Sequence, residues 1–406
     1  MQKLYIVMVG LPARGKSIVA RRLLEGLEGY GLKVKIFNNG ELRRSQFGVS
    51  SASPDFYSPD NLSARKYRED IYYNNIAYAK SFLEQGGHIA ILDATNSSPE
   101  RRKSIEHKSD GIPVFFIECI NEDEEMLNTS ILRKSMLPEF DQLDKKTAIK
   151  WFKERIEQYK RVFVGLKDEK NYIKFDTLNS CILDEKLDET LPYYVEMRDI
   201  LISDWIQHLY LVRHAESQFN LEHRIGGDPS LTQRGWEQAR ALARHFQAIP
   251  VPFVFTSTKK RSQETASILI EQQKKCIVHA LPEFDEIHAG ICEGLTYKEI
   301  AERYPKEYLA RKKDKYNYCY PQGEGYASLY ERVYRGLKKA LFLSGAAAGT
   351  MIVGHQAINR MILANFNFRR TRNVPYISIP QEQYFHIILT HRKKMVEMVP
   401  IVPLLK

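Results

Sequence analysis

The sequence predicts two consecutive α/β domains, and three observations lead to this fold class. At 406 residues the chain is too long for one ordinary hydrophobic core and suits two domains of about 200 residues each. Short apolar strands alternate with amphipathic helices in both halves, which is typical of mainly parallel sheets covered on both faces. The alternation weakens between residues 176 and 207, so we place a boundary near Asp204 and expect domains at 1–204 and 205–406.

In the first half, strands and helices alternate from the start of the chain. The predicted strands are Lys3–Val9, Lys33–Phe37, His88–Leu92 and Pro113–Cys119, and the predicted helices are Lys16–Leu27, Leu62–Glu84, Pro99–His107 and Lys145–Val162. Gly86 and Gly87 favour a helix stop, and Pro99 after Ser98 is typical of a helix start.

A second strand-led unit begins at His208–Val212 and repeats the alternation. Its further strands are expected near Phe253–Thr256, Thr350–Val353 and Met395–Val399, and its helices near Thr232–Phe246, Lys259–Gln272 and Tyr326–Leu343.

Composition narrows the class of protein. A content of 43% hydrophobic and 11% aromatic residues is typical of a globular chain, and no apolar run approaches the roughly 18 residues of a membrane span. The five cysteines are scattered and never spaced as CxxC, which favours a reducing cytoplasm over a disulfide framework or zinc cluster. We therefore expect a cytoplasmic protein with no membrane partner.

The net charge of +10 fits two kinds of partner. Nucleic acid needs basic residues concentrated on one face, whereas anionic metabolites need individual arginines at phosphate pockets. Basic residues are spread along this chain, so the sequence favours small anionic substrates over nucleic acid.

A phosphate-binding loop follows the first predicted strand and opens the first predicted helix. The residues Gly10, Leu11, Pro12, Ala13, Arg14, Gly15, Lys16 and Ser17 fit GxxxxGK[ST] in full. The glycines let backbone N–H groups face nucleotide phosphates, Lys16 can reach the β- and γ-phosphates, and the Ser17 hydroxyl can bind Mg²⁺. ATP and Mg²⁺ are the cofactors that this pattern predicts.

The residues that follow favour a kinase among P-loop proteins. Asp93 ends the apolar strand 89–92, where a carboxylate can hold Mg²⁺ or its waters opposite the loop, although a turn-capping role is the simpler alternative. Short domains of this kind are commonly small-metabolite kinases. A phosphorylated acceptor would need arginines outside the loop, and the candidates are Arg43, Arg44, Arg65 and Arg101.

The second half carries an Arg-His pair, Arg213 and His214, where a strand ends and a helix can begin. An imidazole at this place can attack a phosphate that the neighbouring guanidinium holds. Asn220, Arg224 and the glycine turn at Gly226 follow at short range.

Two further strand ends carry the groups such a site needs. Arg261 begins a helix after one strand, and His355 follows another, so both should converge with Arg213 and His214 on one crevice. Departure of the alcohol needs an acid, and Glu286 is the candidate.

Together these residues closely resemble the bifunctional 6-phosphofructo-2-kinase/fructose-2,6-bisphosphatase family. The resemblance runs from Gly10 to about Pro380. Its motifs are GLPARGK at 10–16, FNNGELRR at 37–44, DATN at 93–96, RIGGDP at 224–229 and GEGY at 323–326. It implies an enzyme that makes fructose 2,6-bisphosphate from fructose 6-phosphate and ATP, hydrolyses it again, and thereby controls glycolysis and gluconeogenesis.

For the kinase half, the resemblance implies a P-loop α/β domain in which Lys16 and Ser17 serve ATP-Mg²⁺ and Asp93 stands beside the transferred phosphoryl group. It assigns fructose 6-phosphate to Arg44, Arg65, Thr95, Arg101, Lys134 and Arg155. It also suggests a homodimer formed through the kinase halves.

For the second half, the resemblance implies a phosphoglycerate-mutase-like histidine phosphatase. His214 would become the phosphohistidine, and Glu286 would protonate the departing sugar oxygen. The transferred phosphate would be held by Arg213, Arg261 and His355, and the sugar and second phosphate by Asn220, Arg224, Gly226, Tyr297, Arg311, Lys315, Tyr326, Gln356 and Arg360.

The sequence departs from the family pattern at three site positions. Ser17 replaces threonine and keeps the hydroxyl, Ala215 replaces the glycine after the histidine, and His288 stands where aspartate is common. We also expect the N-terminal arm and phosphorylatable tail of the animal enzymes to be missing.

Two other functions fit the coarse features. A polynucleotide kinase fused to a phosphatase would share the P-loop and the positive charge, but its phosphatase half usually relies on an aspartate nucleophile. A silent pseudoenzyme that only binds sugar phosphates would not need Lys16, Asp93, His214, Glu286 and His355 together.

Overall fold

The computed structural model describes residues 2–58, 60–135, 137–188, 190–273, 276–345, 349–366, 370–390 and 392–401. The chain divides into two compact units, residues 1–205 and 206–406. Each unit contains one six-stranded sheet with helices packed against it. Both units therefore confirm the predicted fold class.

The first unit is built on a mainly parallel sheet. Its strands are β1 Leu4–Val9, β2 Val34–Asn38, β3 Ile89–Asp93, β4 Val114–Ile120, β5 Asn171–Asp176 and β6 Cys181–Leu187. Their order is β2-β3-β1-β4-β5-β6, and only β6 pairs antiparallel with its neighbour. The carboxyl ends of β1 and β3 therefore lie side by side in the middle of the sheet.

Helices cover both faces of this sheet. They are α1 Lys16–Gly29, α2 Asn39–Phe47, α3 Leu62–Glu84, α4 Pro99–Lys108, α5 Glu124–Lys134, α6 Lys145–Val162 and α7 Tyr194–Ile202. Alternate residues of β1 enter two cores, because successive side chains of a strand point to opposite faces. Ile6 packs with α1 and α7, whereas Val7 packs with α3 and α4.

The second unit has a similar design with an antiparallel edge. Its strands are β7 Ile206–Arg213, β8 Phe253–Thr256, β9 Ile277–Ala280, β10 Thr350–Gly354, β11 Gln383–Leu389 and β12 Lys394–Pro400. The order is β12-β11-β7-β10-β8-β9, with β7, β10, β8 and β9 parallel. The carboxyl ends of β7, β10 and β8 thus meet at one edge.

The helices of this unit are α8 Gln218–Leu221, α9 Gln233–His245, α10 Lys260–Gln272, α11 Tyr297–Arg303, α12 Pro305–Lys313, α13 Tyr326–Ser344 and α14 Gln356–Phe366. Leu242 of α9 and Leu269 of α10 pack with Val212 and Val353 in the core. No helix in the described ranges is both long enough and apolar enough to cross a membrane.

Local signals placed most helix ends correctly. The predicted start at Pro99 is confirmed, since the Ser98 hydroxyl accepts the N–H of Arg101 and Pro99 opens α4. The helix stop is confirmed too, since α3 ends at Glu84 just before Gly86, whose φ is 94°. The weakly patterned stretch 176–207 contains β6 and α7, which the sequence did not predict.

Candidate active sites

The N-terminal phosphate loop connects β1 to α1. Gly10, Ala13 and Gly15 all have positive φ, with values of 134°, 63° and 86°. A Cβ added at Gly10 would lie 2.7 Å from the carbonyl oxygen of Cys119, so the loop needs glycine there. Leu11, Pro12, Arg14 and Ser17 complete the loop, which leads directly into the N-terminus of α1.

Lys16 and Asp93 approach the same edge of the sheet. The Lys16 ammonium donates to the carbonyl oxygen of Leu11 at 2.7 Å, and burial lowers its pKa to about 8, opposed by the nearby charge of Asp93. Asp93, the buried last residue of β3, accepts a hydrogen bond from the amide of Asn38 at the end of β2. The pair thus places a cation and a carboxylate beside the loop.

Beside this edge lies a group of basic and aromatic side chains that we call the Arg-Tyr cluster. Its members are Arg43, Arg68, Arg101, Arg155, Tyr57 and Tyr159. The Arg155 guanidinium lies 4.2 Å from the ring centre of Tyr57, whose ring centre is 5.8 Å from that of Tyr159. Burial raises the pKa of Tyr159, but the four arginines together outweigh it and leave that pKa lowered.

Several polar atoms in the Arg-Tyr cluster are buried and have no hydrogen-bond partner within the described ranges. They are the Nε atoms of Arg43, Arg101 and Arg155 and the hydroxyl of Tyr57. Glu139 pairs with Arg43 and lies 3.6 Å from Arg155, and the charge of Glu69 acts on Arg68 and Arg101, so four guanidinium groups have two carboxylates near them. Buried donors in such excess fit an anionic ligand.

The residues that the resemblance assigned to the acceptor sugar do not all meet. Arg101 and Arg155 lie in the Arg-Tyr cluster, whereas Thr95 follows β3 and its carbonyl accepts the N–H of Gly10. Lys134, at the end of α5, is near enough to Asp93, Lys16 and Arg44 for their charges to act on it. Burial, followed by the charge of Arg133, lowers the pKa of Lys134 to about 8.

Arg65 does not reach this group. Its side chain is 63% exposed and pairs with Glu69 on the outer face of α3. Arg68, three residues further along, points into the Arg-Tyr cluster instead, and it lies in phase with the buried Ala64 and Tyr72. The phase of the buried face of α3 was the signal that could have identified it.

In the second unit, His214 follows the last residue of β7 and is completely enclosed. Its Nδ1 lies 2.8 Å from the carbonyl oxygen of Ala215, which can only accept, so Nδ1 carries the hydrogen. Nε2 therefore carries no hydrogen, and its lone pair accepts the N–H of Arg261 Nε at 3.2 Å. Burial, reinforced by the charges of Arg261 and Arg213, lowers the pKa of His214 well below its usual range.

Three strand ends deliver the surrounding groups. Arg213 donates to the carbonyl of Ile379 at 3.1 Å, and Arg261 donates to the carbonyl of Gly227 at 2.8 Å. His355 follows β10, and its ring centre lies 5.0 Å from that of His214. Two guanidinium groups and two neutral imidazoles thus surround one point, as a phosphoryl site requires.

Glu286 is fixed at the start of α14. Its carboxylate accepts the N–H groups of Gln356 and Ala357 at 3.1 and 3.2 Å, immediately after His355. Asp285 binds Thr258 through both the backbone N–H and the hydroxyl, which anchors the preceding loop. The carboxyl group is consequently held at the site by main-chain contacts.

A cavity of about 310 Å³ opens beside His214. All ten predicted sugar-phosphate residues of this half line it: Arg213, Asn220, Arg224, Gly226, Tyr297, Arg311, Lys315, Tyr326, Gln356 and Arg360. Arg311, Lys315 and Arg360 form a second cationic group in this cavity. Arg311 donates to the hydroxyl of Tyr297, and Arg360 donates to that of Tyr326. Burial lowers the pKa of Lys315 to about 8, and the charges of Arg311 and Arg360 act in the same direction.

The cationic side chains that line this cavity differ in how far the protein already neutralises their charge. Arg224 is already paired with Glu222 and Glu299, at 3.0 and 3.1 Å, so part of its charge is neutralised within the protein. His288 donates its backbone N–H to the carboxylate of Glu324, and its Nδ1 accepts the N–H of Gly290.

Sequence reasoning missed several supporting residues. Gln381 donates to both the His214 carbonyl and the Asn220 side-chain oxygen, at 3.1 and 3.0 Å. That oxygen also accepts the backbone N–H of Ser217, so the amide NH₂ of Asn220 is left for a ligand. Tyr57, Tyr159 and Gln381 carry no local motif, and only their tertiary neighbours reveal them.

The residues near the phosphate loop suit Mg²⁺. Ser17 offers an exposed hydroxyl and Asp93 a carboxylate, and these are the hard oxygen donors that this ion takes in small number alongside substrate phosphates. Clusters of three or more His, Cys, Asp or Glu side chains that could hold a metal do not occur in the described part of the chain. A site completed by nucleotide phosphates agrees with both observations.

Comparison with known proteins defines the class of each unit. Residues 1–194 match the 6-phosphofructo-2-kinase family, and residues 209–399 match the histidine phosphatase superfamily, branch 1.

The chain is 35% identical to 6-phosphofructo-2-kinase/fructose-2,6-bisphosphatase 4 of Macaca fascicularis, over 92% of this chain and 80% of that protein. It is 34% identical to form 1 of Mus musculus, over 92% of this chain and 79% of that protein. The chain therefore belongs to the 6-phosphofructo-2-kinase/fructose-2,6-bisphosphatase family, which confirms the resemblance.

Proposed function

We propose that this chain synthesises fructose 2,6-bisphosphate in residues 1–204 and hydrolyses it in residues 205–406. The supporting observation is the presence of both phosphate sites in one chain of this family, each with its reactive groups. The enzyme is a kinase and a phosphatase at once, and its substrates are small phosphorylated molecules.

In the kinase half, the loop 10–17 and Lys16 hold the phosphates of ATP, and Ser17 and Asp93 hold Mg²⁺. Bound there, the ion neutralises phosphate charge. Fructose 6-phosphate occupies the Arg-Tyr cluster, where Arg101 and Arg155 bind its phosphate. Arg68 takes the place first given to Arg65. Arg44, Thr95 and Lys134 contribute to the same acceptor site, and the charges of Asp93, Lys16 and Arg44 act on Lys134.

In the phosphatase half, Nε2 of His214 attacks the 2-phosphate. A P–N bond forms as the bond from phosphorus to the sugar oxygen breaks, and Glu286 gives that oxygen a proton. Water then attacks the phosphorus atom while Glu286 takes a proton from that water, the P–N bond breaks, and phosphate leaves with His214 restored. Arg213, Arg261 and His355 bind the transferred phosphoryl group, and Arg311, Lys315 and Arg360 hold the 6-phosphate.

The chain also forms a homodimer through its kinase halves, as the family resemblance implies, and it works in the cytoplasm. The edge strand β6 supports the first proposal, because Leu183 and Leu187 on it are 54% and 38% exposed. Sedimentation of Leu183→Lys, compared with that of the unchanged protein, tests this interface. If the variant is still a dimer, the interface does not lie at β6.

Both activities should be measured on one preparation. We expect ATP-dependent phosphorylation of fructose 6-phosphate, release of phosphate from fructose 2,6-bisphosphate, and no phosphorylation of a single-stranded oligonucleotide. Transfer to the oligonucleotide instead would favour a polynucleotide kinase. Binding of both sugars without turnover would favour a pseudoenzyme.

A further inference from the structure

The two nitrogens of His355 lie in different surroundings. Nε2 is 2.7 Å from the hydroxyl oxygen of Ser257, which follows β8. Nδ1 is buried and has no hydrogen-bond partner among the residues that the structure describes. Nδ1 is therefore the nitrogen left for a phosphoryl group bound between His355 and His214.

Hydrogen-bond accounting at Ser257 decides which nitrogen carries the proton. Ser257 is fully buried, and its oxygen accepts the backbone N–H of Lys259 at 3.1 Å. Within the described residues, the one acceptor that its hydroxyl hydrogen reaches is Nε2 of His355. If Nε2 carried a hydrogen instead, the hydroxyl hydrogen of Ser257 would be buried without an acceptor, which is unfavourable.

The imidazole of His355 carries only one hydrogen. Burial lowers its pKa well below the usual range, and the charges of Arg261, Arg213 and Lys259 act in the same direction. A neutral ring whose Nε2 accepts a hydrogen bond must carry its hydrogen on Nδ1.

We propose that Ser257 is a positioning residue for the phosphatase: its hydroxyl fixes His355 in the tautomer that presents Nδ1–H to the transferring phosphoryl group. This inference rests on the phosphatase function proposed above. The opposite tautomer would present a lone pair to phosphate oxygens and repel them. A neutral donor that is oriented in advance stabilises the growing charge without reorganisation at the moment of reaction.

Ser257→Ala removes the hydroxyl, and Ser262→Ala is its matched control. Ser262 is equally buried, but within the described residues its hydroxyl bonds the backbone of Ser257 and Val353 and makes no hydrogen bond to His355. Phosphorylation of the protein by labelled fructose 2,6-bisphosphate should slow about 10- to 100-fold in Ser257→Ala, by analogy with the loss of a partner that orients a metal-bound histidine. The KM should change less than the rate, and kinase activity should persist.

The tautomer itself is observable by NMR of the full chain with ¹⁵N-labelled histidine, with the signal of His355 assigned by its loss in His355→Gln. We expect a protonated Nδ1 and an unprotonated Nε2 in the unchanged protein and in Ser262→Ala, and a shifted or mixed pattern in Ser257→Ala. A protonated Nε2 in the unchanged protein would overturn the proposal, as would equal rates in the two alanine variants. Absence of any phosphorylated protein would instead contradict the proposed function, while the NMR result would still test the tautomer.

Discussion

The two sites hold their charged groups in different ways. In the phosphatase unit, backbone carbonyls or N–H groups fix His214, Arg213, Arg261 and Glu286. In the kinase unit, Arg155 is held by an aromatic ring and by one long contact to Glu139. The buried Nε atoms of Arg43, Arg101 and Arg155 there lack partners within the described ranges, whereas in the phosphatase site only that of Arg213 does so among the described residues.

This difference indicates how each site prepares for substrate. The phosphatase site is already arranged around the position of a phosphoryl group, so little reorganisation is needed when the substrate arrives. The Arg-Tyr cluster concentrates positive charge that Glu139 neutralises only in part, so binding of an anionic substrate should order it further. The two activities should then respond separately to mutation and to pH.

The largest separation should come from Lys16→Ala. Loss of the ammonium group removes the charge that balances the β- and γ-phosphates, so kinase activity should fall about 100-fold or more. Phosphatase activity should persist, because its residues belong to the other unit. The exposed Lys150, replaced by alanine on α6, is the control that should leave both activities intact. Equal loss of both activities in a folded Lys16→Ala protein would contradict separate sites.

A smaller effect distinguishes two arginines of the kinase unit. Arg101→Ala removes a buried guanidinium group from the pocket proposed for the sugar phosphate, which should cost about 1.5–3 kcal/mol of binding. The KM for fructose 6-phosphate should rise about tenfold or more, since about 1.4 kcal/mol corresponds to a factor of ten. The KM for ATP should stay near its original value.

Arg65→Ala is the matched control, because the Arg65 side chain is exposed and pairs with Glu69 at the surface of the same helix. Its steady-state constants should equal those of the unchanged protein. If Arg65→Ala raises the KM and Arg101→Ala does not, the sugar pocket lies elsewhere.

These two arginines also show what the sequence could and could not predict. Motifs tied to backbone geometry placed Gly10, Asp93 and His214 at strand ends, since parallel strands bring such residues to one edge. The orientation of Arg65 depends on how α3 is rotated about its axis, and a motif does not specify that rotation. The spacing of the buried residues Ala64, Tyr72 and Leu83 does specify it and could have been used.

Other parts of the sites were not accessible from local sequence. The pairing of Arg224 with Glu299 and the contacts of Gln381 join segments that are far apart in the chain. Similarly, the sequence did not predict β6, because nearly all of its residues are exposed to solvent and it lacks the alternation of apolar and polar residues that marks a half-buried strand.

The smallest expected difference between the two sites is in the pH dependence of their activities. Lys16 has a pKa of about 8 in the free protein, so above pH 8 it must regain a proton to bind ATP phosphates. The KM for ATP should therefore rise above pH 8, by up to about tenfold per pH unit. The pKa of His214 is also lowered, well below its usual value, so its Nε2 stays unprotonated and the phosphatase should stay active below about pH 6.5, the usual histidine value. An unchanged KM for ATP up to pH 10 would contradict the shifted lysine.

The most direct test of the account traps the phosphatase intermediate. Rapid quenching with fructose 2,6-bisphosphate labelled with ³²P at its 2-phosphate should leave label on the protein that acid removes and alkali does not. His214→Ala should abolish this label, while Glu286→Gln should slow its formation because the sugar oxygen then lacks a proton donor. Label that persists in His214→Ala, or that survives acid and is lost in alkali, would contradict a histidine nucleophile.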